Sequence, residues 1–386
     1  MNTPADVPLR LVTITHCFPA HGGGVERVAG RLVEEFAARG VRIEWLSSDT
    51  EQPPRSALNC VATPLATFNF VERLTQLPYP IWKPCAISRL WKAIGTAHVV
   101  HIHEHLYVGS IMATVIARLR DRPVVITQHM GALGLGNRLL TALYAAGARL
   151  LGALLFPAAA RSIFVSANVC RFFNRQSDQR SRLLFNGIDV KQFTAVPSDA
   201  RRLLRIQLGM PFDRRVVLFV GRFVRKKGLR ILEALTQKFP EVLWVCVGSG
   251  PEDPAKWQHV NVRVVGRVEH DRLAAYYQAS DLLLLPSYGE GFPLVVQEAL
   301  ACGLAVLSTE EVATACPAAQ HMIRSLPTPR GRVAIGAWEE GIRATLHDDR
   351  YLEARASRSE QARRLWSWER CAAGYLEVFD EVHPGR

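Results

Sequence analysis

Glu290 and Glu298 stand eight positions apart in Gly289-Glu290-Gly291-Phe292-Pro293-Leu294-Val295-Val296-Gln297-Glu298, across a glycine-proline turn and the start of an apolar helical pattern. The first carboxylate lies in the turn, and the second about one turn into a helix beginning near Leu294. A carboxylate accepts from two vicinal hydroxyls at once, so one Glu suits a sugar and the other a ribose. Gly291 lets the backbone approach a ligand closely, and the N–H groups at the helix start carry partial positive charge suited to hydroxyls or phosphate. Upstream, Arg222 and Lys227 stand five apart in Gly221-Arg222-Phe223-Val224-Arg225-Lys226-Lys227-Gly228, one ending an apolar run and one entering a helix. Two cations so placed can converge on a diphosphate and stabilise the charge that develops as it leaves. Only seven of the 47 basic residues are Lys, which sets the adjacent pair Lys226-Lys227 apart from ordinary surface charge.

These segments resemble the retaining GT-B glycosyltransferases of the group 1 family, whose E-x7-E pattern reads close to E-G-F/x-x-x-x-x-E-A-x-A-x-G. Gly221 to Gly228 is similar to that family's G-R-x-x-x-x-K-G segment, and Phe185-Asn186-Gly187-Ile188-Asp189 with Phe193 to its N-G-I-D-x-x-x-F linker. The three occur in the family's order. The resemblance implies an α/β protein of two Rossmann-like, doubly wound domains facing each other across a cleft. It implies an acceptor-binding domain at 1–195, a nucleotide-sugar-binding domain at 196–365, and a closing helix, 366–386, that crosses back to the first. Arg222, Lys227, Glu290 and His129 are then the catalytic residues. Gly23, Gly24, Gly291, Phe292, Pro293 and Glu298 hold the donor, a UDP- or GDP-linked sugar, with no metal and no other cofactor. Retention in this family is explained by same-face attack, with the departing phosphate taking the acceptor proton, so no general base is assigned. After Glu298 the chain departs from the family's Gly-Gly-x-x-E continuation and reads Ser308-Thr309-Glu310-Glu311-Val312-Ala313-Thr314-Ala315-Cys316-Pro317. That departure leaves donor identity open and keeps a competing class, a non-catalytic GT-B protein that binds nucleotide sugar or a partner protein.

The elements that must position these residues follow from periodicity. Apolar runs at 9–14, 41–46, 99–102, 124–127, 162–165 and 182–185 alternate with helical patterns such as 25–38 and 109–119. The scheme repeats at 216–220, 243–247, 262–264, 281–285 and 305–307, so two parallel sheets are expected, with the Arg-rich segment 195–215 as the boundary. Gly22-Gly23-Gly24 follows the first run and opens a helix, a position suited to a phosphate or an acceptor. It is not G-x-G-x-x-G, and neither is Gly248-Ser249-Gly250, so a dehydrogenase is disfavoured. His101, His103 and His105 alternate on one strand-like face. The resembled family carries a similar H-x-H-E segment and generally needs no catalytic metal, which favours acceptor contact or cleft structure there over a metal site, and Asp281 is read as structural.

With 386 residues, 48% of them hydrophobic, the chain has enough apolar surface for two cores. The N-terminal residues lack a basic n-region and a long apolar stretch, and the eight cysteines show no C-x-x-C spacing, which together indicate a reducing, cytoplasmic setting. The net charge of +12 is unevenly placed: Arg118 to Arg182 holds ten Arg and no Lys against Asp121 and Asp178. Within it, Leu139 to Pro157 approaches membrane-span length, yet Arg149 and Pro157 argue for a buried or interfacial helix over a spanning one. Residues 68–91 interleave Phe70, Tyr79, Trp82 and Trp91 with Arg73, Lys83 and Arg89, a mixture suited to anionic headgroups. No nucleic-acid motif is present. The expected partners are a nucleotide sugar, a lipid-linked or saccharide acceptor in cell-surface polysaccharide or glycolipid synthesis, and the anionic inner face of a membrane.

Overall fold

The computed structural model describes residues 8–75, 78–131, 138–176, 178–328 and 333–384. The chain divides into two compact units, Met1–Gly187 with Trp368–Arg386, and Ile188–Ser367. Among the described residues, the first unit is built on seven parallel strands in the spatial order Cys60–Leu65, Arg42–Ser48, Arg10–Ile14, Val99–His103, Val124–Gln128, Arg161–Phe164, Ser181–Leu183. The central strands are buried along their whole length because crossover helices cover both faces, which is why they read as continuous apolar runs rather than alternating ones. In the helix Gly24–Ala38, Val28, Leu32, Val33 and Phe36 recur at helical spacing and supply its buried face.

The second unit repeats the plan with six parallel strands ordered Val262–Gly266, Leu243–Val247, Val216–Val220, Leu282–Leu285, Ala305–Thr309, Ile323–Leu326. In both sheets the strand order reverses once. The reversal falls between Arg10–Ile14 and Val99–His103 in the first unit, and between Val216–Val220 and Leu282–Leu285 in the second. At such a switch point, crossovers leave toward opposite sides and open a crevice beyond the carboxyl ends of the two strands.

The expected first boundary at 195 moves to Gly187, because the residues after it are built into the second unit. Ile188 donates its N–H to Trp366 O at 2.7 Å, and buried Phe193 packs edge-on against His270 and Tyr277. The chain returns to the first unit at Trp368, and a Cβ on Gly187 would lie 2.5 Å from the Trp368 ring, so only glycine fits that crossing. The final helix, Trp368–Val382, sets Tyr375 and Phe379 against Phe36 at 6.0 and 5.5 Å. Its Glu381 pairs with Arg161 and Arg182 at 2.9 and 3.0 Å, which neutralises part of the Arg excess between 118 and 182. All eight cysteines are free and seven are buried. In the aromatic segment 68–91, Trp82 is buried while Phe68, Phe70 and Trp91 are exposed, with Lys83 over the Phe68 ring and Arg120 over Trp91.

Asp281 is structural. Its carboxylate, 5% exposed, takes Arg205 at 2.6 Å, Arg201 at 2.5 Å and the Val216 N–H at 2.7 Å. Burial alone would raise its pKa, but Arg205, Arg201 and the amide hold the group below the usual carboxylate range. Asp281→Asn leaves buried Arg205 without its counter-charge and is expected to cost about 3 kcal/mol or more in urea unfolding at pH 7. Because the folded pKa is the lower one, the stabilisation is complete above about pH 4 and is lost as pH falls through the folded value. The wild type and the Asn variant should therefore converge in stability once the pH lies below the folded value, and a constant gap would contradict this role.

Candidate active site

In the second unit the switch point brings together the two loops that carry the candidate residues. The buried strand Val216–Val220 ends at Gly221 and runs through Arg222 into a short 3-10 turn, Arg225–Lys227. Gly228 then takes φ +77° and starts the helix Leu229–Lys238. A Cβ there would meet Pro286 O at 2.3 Å, so glycine lets this loop lie directly on the loop after Leu282–Leu285. Tyr288 N–H donates to Lys226 O at 3.0 Å and fastens the two backbones together. Across that seam Lys227 Nζ lies 2.9 Å from Glu290 Oε1, an ion pair whose partners are each little exposed. Burial, opposed by Glu290, lowers the pKa of neighbouring Lys226. Arg222 is exposed, with no side-chain hydrogen bond or ion pair among the described residues. The site therefore holds one cation fixed by a carboxylate and one free to meet an anion.

Gly248-Ser249-Gly250 supports this loop from beneath. Phe223 N–H donates to Ser249 O at 2.8 Å, and a Cβ on Gly248 would lie 1.9 Å from Gly221 O. Its glycines serve backbone packing between adjacent strand ends.

Glu311 is the residue supporting the Glu290 turn that the sequence did not reveal. It lies in the short helix Glu310–Ala313, inside the segment where the family pattern breaks. Its carboxylate accepts the N–H of Gly289 at 3.1 Å and of Glu290 at 3.0 Å, which fixes the turn that presents Glu290. A G-E pair answered by a carboxylate twenty-one residues later was the available signal. Phe292 is buried against Trp366 at 5.4 Å, and Pro293 caps the helix Leu294–Ala301 without a side-chain acceptor. Glu298, in the second turn of that helix, is buried, with Oε2 accepting from the Tyr277 hydroxyl at 2.9 Å and Oε1 3.9 Å from His270 Nε2. One of its oxygens is thus committed to the fold.

The first unit holds a second cluster, at its own switch point. Gly23 is the N-cap of Gly24–Ala38, and a Cβ there would lie 2.1 Å from Glu26 Oε2. Glu26 cannot yield, because it is buried and held by His16 at 2.6 Å, so Gly23 answers an internal need; a Cβ on Gly24 meets nothing within 4 Å. The three histidines of the alternating run diverge to separate partners: His101 to Thr127, His103 to His129, and His105 to Gln128 and Ala148 O. His103 Nδ1 and His129 Nε2 are 2.9 Å apart with the rings stacked. Burial pushes His129 down to about 4, so this pair is neutral at physiological pH. Glu104, also unrecognised in the sequence, adopts φ +67° and accepts the N–H groups of His129 and Met130 at 2.7 and 2.8 Å, with Gln128 Nε2 at 2.6 Å. Burial raises Glu104 to about 8 against those three donors. His16, Cys17 and Glu26 approach closely enough to hold a metal, and without one burial raises the Cys17 thiol to about 12.

The Glu311 anchor is testable without any ligand. Glu311→Ala should speed amide hydrogen exchange at Gly289 and Glu290 by roughly tenfold to a hundredfold, the worth of charge-assisted hydrogen bonds, with little change in the strand Leu282–Leu285. Unchanged protection at both amides would remove the assignment.

The chain matches the family profile of glycosyl transferases group 1 over residues 200–365 and that of glycosyltransferase family 4 over residues 22–192. It is 28% identical to the D-inositol 3-phosphate glycosyltransferase of Xylanimonas cellulosilytica, over 94% of this chain and 93% of that protein. The corresponding enzyme of Corynebacterium jeikeium is 24% identical over 94% and 92%. Among solved structures, sucrose-phosphate synthase from Thermosynechococcus elongatus has a TM-score of 0.71 at 21% identity, covering 97% of this chain and 99% of that one. Anabaena HepE in complex with UDP-glucose has a TM-score of 0.70 at 16% identity, covering 97% and 100%. With two parallel doubly wound units, each matched by a glycosyltransferase profile, the chain belongs to the GT-B-type glycosyltransferases.

Proposed function

We propose that this protein moves a sugar from a nucleoside diphosphate donor to a hydroxyl acceptor with retention, and that the acceptor is a lipid-linked saccharide. The observation that carries the donor half is the Lys227–Glu290 ion pair beside exposed Arg222, on a turn held by Glu311. In the step itself the bond from sugar C1 to the diphosphate oxygen breaks, and its electron pair stays with the phosphate. The acceptor oxygen bonds to C1 on the same face, and its proton passes to the departing phosphate. Lys227 and Arg222 stabilise the charge as it develops. Glu290 holds Lys227 in place and uses its remaining acceptor capacity on sugar hydroxyls, while Glu298, positioned by the Tyr277 hydroxyl, takes the ribose. His129, kept neutral by burial, contributes hydrogen bonding rather than charge.

UDP-linked sugars are the first donors to test, since the HepE neighbour was solved with UDP-glucose. The relatives' name gives them a water-soluble inositol phosphate as acceptor. The lipid-linked acceptor rests instead on this chain's Arg-rich, apolar segment between 118 and 182, as does a working place at the inner face of a membrane. No metal is assigned to the reaction, so turnover should survive a chelator.

A thermal-shift panel of UDP-, GDP- and ADP-sugars tests the donor reading. A ligand at about 100 times its Kd stabilises by about 2.7 kcal/mol, and a panel without any responder would refute it. With the responding donor, Arg222→Ala and Lys227→Ala should each lower kcat on the order of 100-fold with little loss of melting temperature. Near-wild-type turnover in either variant would show that the diphosphate lies elsewhere. Glu298→Gln should raise the donor KM more than it lowers kcat, and Glu290→Gln the reverse. Matching kinetic signatures would abolish this division of roles.

A further inference from the structure

The helix Arg138–Ala158 has two unlike halves. Tyr144, Ala148, Leu151 and Leu155, at spacings of four, three and four, pack into the core of the first unit, and His105 bonds to Ala148 O at 3.0 Å. Opposite them, Leu143, Leu150 and Leu154 are 60%, 69% and 65% exposed, and Leu139, Ala142, Ala146 and Ala153 are exposed with them. The stretch Leu139–Ala158 is long and apolar enough to cross a bilayer, yet its inner side is already built into the protein. It cannot span. The neighbouring helix Val108–Leu119, which packs against it, exposes Val115 and Leu119 as well.

Charge surrounds this surface with one sign. Arg149 stacks on Phe172 with its guanidinium 4.6 Å from the ring, and donates to Phe172 O. Arg118 and Arg180 donate to the last carbonyls of the helix, Ala158 O and Pro157 O. All three are exposed, none of their guanidiniums pairs with a carboxylate among the described residues, and residues 138–158 contain no acid; the one carboxylate beside them is Asp178, which accepts the Arg180 backbone N–H at 2.9 Å and pairs with Arg175.

We propose that this face docks on the anionic surface of a lipid bilayer, with the helix lying in the interface plane, its leucines at the acyl boundary and the three guanidiniums on headgroup phosphates. Charge decides between occupants. A second copy meeting this face about a twofold axis would set the three guanidiniums against their own kind, with Asp178 already paired to Arg175 and the helix supplying no acid, whereas anionic headgroups complement both the apolar strip and its rim. The proposal gives the lipid-linked acceptor reading its place of action, but its evidence is independent of the donor site.

The test is sedimentation of the full chain with vesicles of phosphatidylcholine alone or with about one third phosphatidylglycerol, at low and high salt. Binding should require the anionic lipid and weaken as salt rises. Leu143→Glu, Leu150→Glu and Leu154→Glu together should weaken binding at least roughly tenfold, and Leu150→Ser with Leu154→Ser should do so without adding charge. Arg118→Gln, Arg149→Gln and Arg180→Gln together should flatten the salt dependence. Thermal shift by nucleotide sugar should stay intact in every variant. Unchanged vesicle binding in the Leu variants, or binding indifferent to lipid charge, would overturn the proposal. So would a dimer in light scattering that the Leu substitutions dissolve, since a second copy would then cover the face. A nucleotide response with no vesicle binding would remove this inference alone, while vesicle binding with no nucleotide response would remove the donor reading alone.

Discussion

The site depends on one topological constraint: in each parallel sheet the strand order reverses once, and the loops leaving the two strands at that reversal become neighbours. In the second unit, residues about sixty positions apart in sequence are thereby pressed together, Gly228 against Pro286 O and Tyr288 N–H against Lys226 O. The Lys227–Glu290 pair is a consequence of that contact, because neither side chain could be held at 2.9 Å unless both backbones were already fixed. Glu311 adds the third side. It comes from the short helix after the next strand, Ala305–Thr309, so three neighbouring carboxyl ends contribute to one turn.

How far the sequence could be read follows from whether each interaction is local. The strands were visible as apolar runs because parallel strands buried on both faces leave no alternation to decipher. Arg222, Lys227 and Glu290 could be singled out because each adjoins a glycine that restricts the backbone, and Glu298 because it follows Glu290 by eight positions, across the turn and into the helix. Glu311 was hidden because its partners are amides twenty-one and twenty-two residues away, and an amide carries no residue identity. Glu104 was hidden for the same reason, since it serves the amides of His129 and Met130 from the left-handed region that glycine usually occupies. The domain boundary was misread because composition marks the polar helix Ser198–Gln207, whereas the structural break is set by Ile188 pairing with Trp366 ten residues earlier.

The helix Arg138–Ala158 shows what composition cannot decide. Length and hydropathy are properties of the whole segment, but location is a property of its faces, and both halves of this helix are apolar. A helix that is hydrophobic all round is read as buried or spanning, and only the packing of Ala148 and Leu155 reveals which half the fold consumes. The Arg excess between 118 and 182 is likewise divided by tertiary structure. Arg161 and Arg182 are spent on Glu381, and Arg118, Arg149 and Arg180 are left on the surface.

The two units also differ in how they handle charge. In the first, burial drives His129 down to about 4 and His101 to about 3, and holds His103 well below its ordinary value, so three adjacent imidazoles stay neutral and act only through dipoles. In the second, Lys227 is about as deep as His129, at 12% against 9% exposure, and keeps Glu290 beside it, while Arg222 is exposed. Burying either cation without a counter-charge would cost several kcal/mol in desolvation. A cation that is to meet an anion has to be ionised beforehand, so it needs either water or a paired carboxylate beside it. A group that only orients neutral hydroxyls gains from burial, because its hydrogen bonds strengthen in the low dielectric. The same fold, used twice, thus places neutral imidazoles at one switch point and a paired lysine beside an exposed arginine at the other, and the difference comes from which partners each loop brings to its strand end.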